Sequence, residues 1–519
     1  MLSRMPRGFP VRAAAIDIGS NALRFLAVEA LGPVRWVTLR NDRVPLRLGH
    51  DAFASGRLSP PTIEEALRVL ARFAADAKAL QARHLRAVAT SALRESENAA
   101  DLVMRARADL GLRIEIISGS EEARLVHRAV RGRIPLDPGP WLLVDLGGGS
   151  VEVSLADASG IRRSESHAMG SVRLLEVLGG APGNGAGERA RFLQLLTDYV
   201  STVRIGGPRT RVAGMIATGG NSEALARLAG STKDSAGVSI LQTAALQKLI
   251  ATLAGLRVEE RQLALGLRED RADVILPAAV VYAHLARQAR VRRILVPPVG
   301  LREGVIADLL ARLAGGAGAR TEEGRQVMDG CVHLGERYGF EKAHALQVSR
   351  LALALFDRLA GLHRLGETER RILTAASVLH DVGTHVSYTQ HHKHSFYLLS
   401  NSELPGFTSE QMLLAAHVAR YHRKSEPSPR HAEFAALADD QQRTVTALAS
   451  LLRMADALDR GHLQSITTVE AHVRSGALRL RLRGRGDFLL AGWALEKKAG
   501  LFRRLYGMDV VAEFTQEDA

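Results

Sequence analysis

Two acidic residues occupy the same place in two similar segments of this chain. AAAIDIGSNALRFLAVE (Ala13 to Glu29) and LLVDLGGGSVEVSLA (Leu142 to Ala156) each run from an apolar stretch through a single Asp, round a turn of small residues and out along an alternating stretch. Asp17 and Asp145 are equivalent, as are Gly19 and Gly147, at an offset of 128 residues (145 minus 17). Glycine and serine turns that follow a buried strand let the backbone approach a ligand closely and aim several N–H groups at one place, which suits phosphate oxygens. One such turn reads as a tight hairpin. Two copies with Asp at the same position point to phosphate held between Gly19, Ser20 and Asn21 on one side and Gly147, Gly148, Gly149 and Ser150 on the other. Asp145 and Glu152 flank the second turn, where two carboxylates and phosphate oxygens could complete the octahedral oxygen shell of magnesium, with Asp17 contributing through water. Thr218, Gly219 and Gly220 open a helix, an anion-friendly place. Arg24 and Arg271 are candidates to touch phosphates farther along a polyanion, although arginine is abundant here and a surface role fits either equally well.

Strands and helices must hold these residues. Each copy reads as strand, tight turn, strand. Between the copies, Thr62 to Leu80 has helical spacing, and His84 to Ala89 and Arg113 to Ile117 read as strands. Val212 to Ala217 and Arg293 to Pro297 are further strands, and Leu301 to Leu313 is a helix. Gly179 to Gly187 reads as a surface loop and Ala314 to Gly324 as a linker, because glycine dominates both. A duplicated α/β domain of about 128 residues follows from the offset.

The 519 residues carry 69 Lys plus Arg against 55 Asp plus Glu, a net charge of +14 with histidine neutral. Such a surplus suits a polyanionic partner, although an Arg-rich composition alone would produce it. Hydrophobic residues make up 46% and charged residues 24%, the balance of a globular protein and not of a disordered one. The lone Cys331 excludes an intramolecular disulfide. Val274 to Tyr282, the most apolar stretch, is far short of the ~20 residues of a membrane span. We expect a cytoplasmic protein with no membrane and no nucleic acid as partner.

DIGSNALRF, ATSALRES, IISGSEEARL, VDLGGGSVEV, ATGGNSEAL, RADVILPA and VGLREGV, in this order, resemble the exopolyphosphatase/guanosine pentaphosphate phosphohydrolase family from Ala14 to about Asp308. The resemblance implies an α/β fold, the actin-like ATPase (ribonuclease H-like) bidomain, with its active site in the cleft between the halves. It implies domain I at 1–128 with a return helix at 300–315, and domain II at 129–299. In GSEEAR it makes Glu122 the base that activates water, with Glu121 the alternative, and in TSALR it makes Arg94 the group that neutralises the transferred phosphoryl. Either glutamate could instead be an ordinary first-turn helix acid. The implied substrate is inorganic polyphosphate, with guanosine pentaphosphate second. A sugar kinase or actin-like ATPase shares the loops, and a catalytically idle polyphosphate or alarmone sensor is a third class.

Beyond the linker the chain becomes helical and rich in histidine. His344, His380-Asp381 and Asp456, in the contexts SVLHDVG and LLRMADALDR, resemble an all-α HD-like phosphohydrolase domain at 320–464, followed by a small α/β module at 465–519. Adjacent His-Asp supplies two metal ligands of different reach, and the other two come from separate helices. The resemblance implies such a domain in the longer members of the family, in many of which its metal residues are incomplete and it serves substrate binding or dimerisation. This chain retains all four, so a second divalent metal and a homodimer are both expectations. His391, His392, Lys393 and His394, with His422, Arg423 and Lys424, read as a basic groove that guides a long polyanion.

Overall fold

The computed structural model describes residues 8–183, 185–204, 211–314, 317–474 and 476–517. The chain forms two compact units, Met1–Thr321 and Glu322–Ala519. The first holds β1 (Val11–Ile18), β2 (Ala22–Gly32), β3 (Arg35–Pro45), β4 (His84–Ala89), β5 (Ile114–Ile116), β6 (Trp141–Leu146), β7 (Val151–Ala156), β8 (Ile161–His167), β9 (Met215–Thr218), β10 (Thr232–Lys233), β11 (Ser239–Gln242) and β12 (Arg293–Val296).

These strands make two sheets, in the orders β3-β2-β1-β4-β5 and β10-β11-β12-β9-β6-β7-β8. In the first, β1–β2 and β2–β3 are antiparallel, and β4 lies parallel to β1 with β5 parallel to β4. In the second, β6, β7, β8, β9 and β12 repeat that order and those directions. The duplication in the sequence is therefore a duplication of topology. Register matches as well, since Asp17 pairs with Arg24 across β1–β2 and Asp145 pairs with Glu152 across β6–β7.

Strand alternation decides where the two aspartates point, because residues two apart share a face. Ala14, Ile16 and Ile18 pack into a core with Phe25, Leu70 and Phe73, whereas Ala13 and Ala15 join Leu143 and Ile216 of the second sheet in a shared layer. Asp17 continues the Ala13, Ala15 face and Asp145 the Leu143 face. That layer also holds the helices Gly119–Arg131, through Leu125 and Val126, and Leu301–Ala314, through Val305 and Ile306. The two helices cross closely enough that a Cβ at Gly304 would lie 2.1 Å from the Leu125 carbonyl oxygen.

The second unit packs helices with β13 (Ile466–Arg474), β14 (Ala477–Gly484) and β15 (Asp509–Gln516). Along β14, buried Leu478, Leu480 and Leu482 alternate with exposed arginines. Those leucines belong to the same core as Leu355, Ala376 and Leu452 of the helices, so the strand-rich end shares one interior with the helical part. The expected linker takes a different form. Residues from Ala317 onward belong to the helix Ala317–Arg337, because alanine and long charged residues outweigh the cost of scattered glycines. The described part of the Gly179–Gly187 segment is a turn that gives way to a helix at Ala186, and Asn184 lies outside the described residues. Among the described residues no helix is long and apolar enough to cross a membrane.

Candidate active site

The two hairpin turns, the first turn of Gly119–Arg131 and the start of the helix Gly220–Leu228 converge on a cavity of about 80 Å³. Asp17, Gly19, Ser20, Asn21 and Arg24 line it from the first hairpin, and Asp145, Gly147 and Gly148 from the second. Glu122, Gly219, Gly220 and Arg271 line it as well. The turns are fixed by their own backbone. Gly19 N–H donates to the Ala22 carbonyl at 3.2 Å and Gly147 N–H to the Ser150 carbonyl at 3.0 Å. Carbonyls of the second turn are held from outside, Gly148 accepting from Val172 N–H at 2.9 Å and Gly149 from Arg173 Nε at 2.7 Å.

Two adjacent glutamates open Gly119–Arg131, and the helix turn sends them apart. Ser118 Oγ caps the helix by accepting from Glu121 N–H at 3.2 Å. Glu121 turns to Arg124, whose Nε donates to it at 2.7 Å, and to Arg86. Burial works to raise the Glu121 carboxyl, but these arginines outweigh it and hold it below its ordinary range. Glu122 instead faces Asp145 and Glu152, with one oxygen of each within 4.8 Å of the others. All three are buried. Glu122 is pushed well above the usual carboxylate range by burial and then by Glu152 and Asp145. Glu152 rises through burial and Asp145, and Asp145 through burial.

Three carboxylates this close cannot all ionise unless a cation lies among them. Glu122 Oε2 and Glu152 Oε2 are buried without a hydrogen-bond partner, so the group has open oxygen donors for a hard divalent ion. Asp17 lies outside this trio, with Arg24 Nη1 at 3.4 Å.

The cavity is also cationic in part. Arg24, Arg43 and Arg271 line it, and the Arg271 guanidinium is pushed down to about 10 by burial and by the neighbouring Arg268, Arg43 and Arg24. An anion beside them would relieve that repulsion.

Several expected residues support the cavity without lining it. Thr218 is fully buried and its hydroxyl donates to Asp145 Oδ1 at 2.7 Å, fixing the carboxylate. Glu152 accepts from Ser166 Oγ at 2.9 Å, and Ser150 also bonds to it. Gly149 packs its backbone against Phe53 and Ser91. Arg94 donates to the Ile117 carbonyl at 2.8 Å, and its Nη1 reaches 4.0 Å from Glu122 Oε2, so it sits beside the glutamate and off the cavity wall. Arg43, Thr90 and Ser171 line the cavity and were not singled out from sequence, and Asn221 lines it beside Gly220. Arg43 has no motif around it; its signal is register, because it pairs with Arg24 across β2–β3.

A duplicated hairpin sheet with glycine-rich turns, a buried carboxylate trio and a cluster of arginines defines an actin-like phosphohydrolase. The chain belongs to the Ppx/GppA phosphatase family, whose description matches residues 29–313, with domain III of the same family matching residues 329–498. The second unit is thus matched as that domain III over residues 329–498. Among curated relatives, a guanosine-5'-triphosphate,3'-diphosphate pyrophosphatase of Aeromonas hydrophila is 28% identical over 407 residues, covering 77% of this chain and 78% of its own. An exopolyphosphatase structure from Cytophaga hutchinsonii is 25% identical with a TM-score of 0.50, covering 58% of this chain and 97% of its own. The Aquifex aeolicus Ppx/GppA family member is 26% identical with a TM-score of 0.49, covering 58% and 98%.

Proposed function

We propose that the first unit is an exopolyphosphatase, releasing orthophosphate one unit at a time from the end of inorganic polyphosphate. The observation that carries this is the double charge of the cavity, lined by the buried Glu122 and Asp145, which share a cluster with Glu152, and by the mutually repelling Arg24, Arg43 and Arg271. A phosphate chain and a divalent cation are the two charges that would satisfy both sets of groups together.

The amides of the two turns hold the terminal phosphoryl oxygens, and Arg24, Arg43 and Arg271 take the next phosphates. Glu122 accepts the proton of the attacking water, since burial beside Glu152 and Asp145 raises its carboxyl and so strengthens the ionised form as a base. The water oxygen bonds to the terminal phosphorus, the bridging P–O bond breaks, and the shortened chain leaves with the electron pair. Thr218 holds Asp145 in place, and Arg94 steadies Glu122 from behind. Asp145 and Glu152 would hold magnesium, which when bound neutralises charge on the departing phosphate chain.

Guanosine pentaphosphate is the second reading, favoured by the Aeromonas relative, whose name specifies that class of substrate. The named lining residues are small, polar or charged apart from Ala22, Leu146 and Leu301, and none offers an aromatic ring to stack a purine. This favours a substrate recognised by phosphates alone. Phosphate release from long polyphosphate, short polyphosphate and guanosine pentaphosphate, compared side by side with magnesium, decides between them. Preference for the pentaphosphate by orders of magnitude would reverse the order, and release from none would end the hydrolase reading.

A further inference from the structure

In the second unit, histidines that read from sequence as a basic groove are not on the surface. His391, His392 and His422 are buried, and His391 and His422 turn inward to the same aspartate as His380. His344 lies on the helix Lys342–Arg358, His380 and Asp381 follow Glu367–Leu379, and His391 opens His391–Ser400. His422 lies just past Ser409–Arg420, and Asp456 sits near the end of Asp439–Leu458.

Each of four imidazoles has its Nδ1 tied to an acceptor. His344 Nδ1 is 2.8 Å from Asp459 Oδ2, His380 Nδ1 2.8 Å from the Ser377 carbonyl, His391 Nδ1 3.1 Å from the Tyr388 carbonyl and His422 Nδ1 2.7 Å from the Ala419 carbonyl. An Nδ1–H donated in this way leaves Nε2 as a lone pair, the arrangement by which outer partners orient metal-binding histidines. All four Nε2 atoms then face carboxylate oxygens. His344 and His380 stand 3.7 and 3.8 Å from Asp456 Oδ1, and His380 stands 3.6 Å from Asp381 Oδ2. His391 and His422 stand 3.0 and 3.3 Å from the other oxygen, Asp381 Oδ1.

Distances of 3.6 to 3.8 Å are too long for hydrogen bonds. They are close to the roughly 3.0–3.5 Å that separates neighbouring ligand atoms around an ion with bonds of about 2.1 Å. His344 Nε2 and His380 Nε2 are buried without a hydrogen-bond partner, and His380 has no exposed surface at all. Two cations of the chain border the cluster without filling it. Lys498 Nζ contacts the outer oxygen of Asp456, leaving Oδ1 toward the imidazoles, and Arg423 Nη1 lies 3.1 Å from His391 Nε2.

We infer that the second unit binds a pair of first-row transition-metal ions bridged by the Asp381 carboxylate. His344, His380, Asp381 Oδ2 and Asp456 hold one, and Asp381 Oδ1, His391 and His422 hold the other. Mixed imidazole and carboxylate donors select zinc, manganese, iron or cobalt over magnesium, so this centre differs in kind from the all-oxygen trio of the first unit.

The test uses the full chain, stripped with chelator, reloaded with Mn²⁺ and desalted in excess Mg²⁺ so that the oxygen-only site carries magnesium. Two retained manganese ions per chain with a spin-coupled EPR spectrum are expected. His422→Gln should retain one ion with an uncoupled spectrum, and Asp381→Asn none. Retention of one ion or none by the unsubstituted chain overturns the pair, as does a coupled spectrum surviving in His422→Gln. Phosphate release from polyphosphate by His422→Gln should stay within twofold of the unsubstituted chain, which separates this result from any failure of the first site.

Discussion

Glu122→Gln is expected to lower activity and raise stability together. Removing the proposed base should slow phosphate release by ~10²- to 10⁴-fold, the usual contribution of a positioned proton acceptor. The effect on stability comes from the crowding of Glu122, Asp145 and Glu152 within 4.8 Å. At that separation each like-charged pair costs about 3.5 kcal/mol at an effective dielectric constant near 20. Folding without a cation therefore forces Glu122 to remain protonated, and its carboxyl stands well above the usual range in the folded state. For a group raised on folding, the penalty is absent below the ordinary glutamate value and grows as pH rises above it. Holding a carboxyl protonated at pH 7 against a reference near 4.3 costs at most about 3.7 kcal/mol, or about 1.4 kcal/mol for each pH unit. Glutamine, already neutral, avoids this cost. Urea unfolding in EDTA should show Glu122→Gln more stable at pH 7, by up to about 4 kcal/mol, with the advantage fading toward pH 4.5. Magnesium should stabilise the unsubstituted chain more than the variant. A variant no more stable than the unsubstituted chain at pH 7, or an advantage independent of pH, would refute the account of the trio.

Three further substitutions probe other parts of the first unit. Asp308 is almost fully buried among Arg86, Arg124, Arg128 and Arg312; burial works to raise its carboxyl, but Arg124 and its neighbours hold it well below the ordinary range. Asp308→Asn should cost about 3–5 kcal/mol in denaturant unfolding above pH 4, and the difference should shrink as acid protonates the native carboxylate. Gly149→Ala would place a Cβ 2.2 Å from Phe53 Cζ and 2.4 Å from Ser91 Oγ, so it should destabilise by about 1–3 kcal/mol and reduce phosphate release with it. Arg271→Ala should raise KM for polyphosphate by roughly 10- to 100-fold with a smaller change in kcat, and the affinity of the unsubstituted chain for long polyphosphate should fall steeply with salt. Salt-insensitive affinity would return the +14 surplus to composition alone.

The hairpins were legible in the sequence because duplication repeats a pattern, and strand alternation then dictates which way Asp17 and Asp145 point. Glu121 and Glu122 could not be separated by composition. Arg124, three residues beyond Glu121, was the available signal, since residues at that spacing share a helix face. Arg43 was illegible because two irregularities interrupt the β2–β3 register between it and the turn, so its place opposite Arg24 could not be counted. The role of Thr218 was hidden for a different reason: β9 pairs with β6 in parallel, and only a sheet joins residues so far apart in sequence. His391 and His422 were read as surface groups because a cluster of histidine and lysine is ordinarily solvated. Burial depends on which helix faces meet, and local sequence does not carry that information.

Asp17 faces Arg24 across the first hairpin, and Asp145 faces Glu152 across the second, at the same register position. A molecule with two identical hairpins would be electrically symmetric, and a phosphate chain could enter it equally well in two orientations. One divergence, a cation at position 24 and a carboxylate at 152, removes that degeneracy. The first hairpin carries an ion pair and the second two acidic side chains. The duplicated frame thereby gains a polarity, a fixed heading for whatever phosphate chain lies between the two turns.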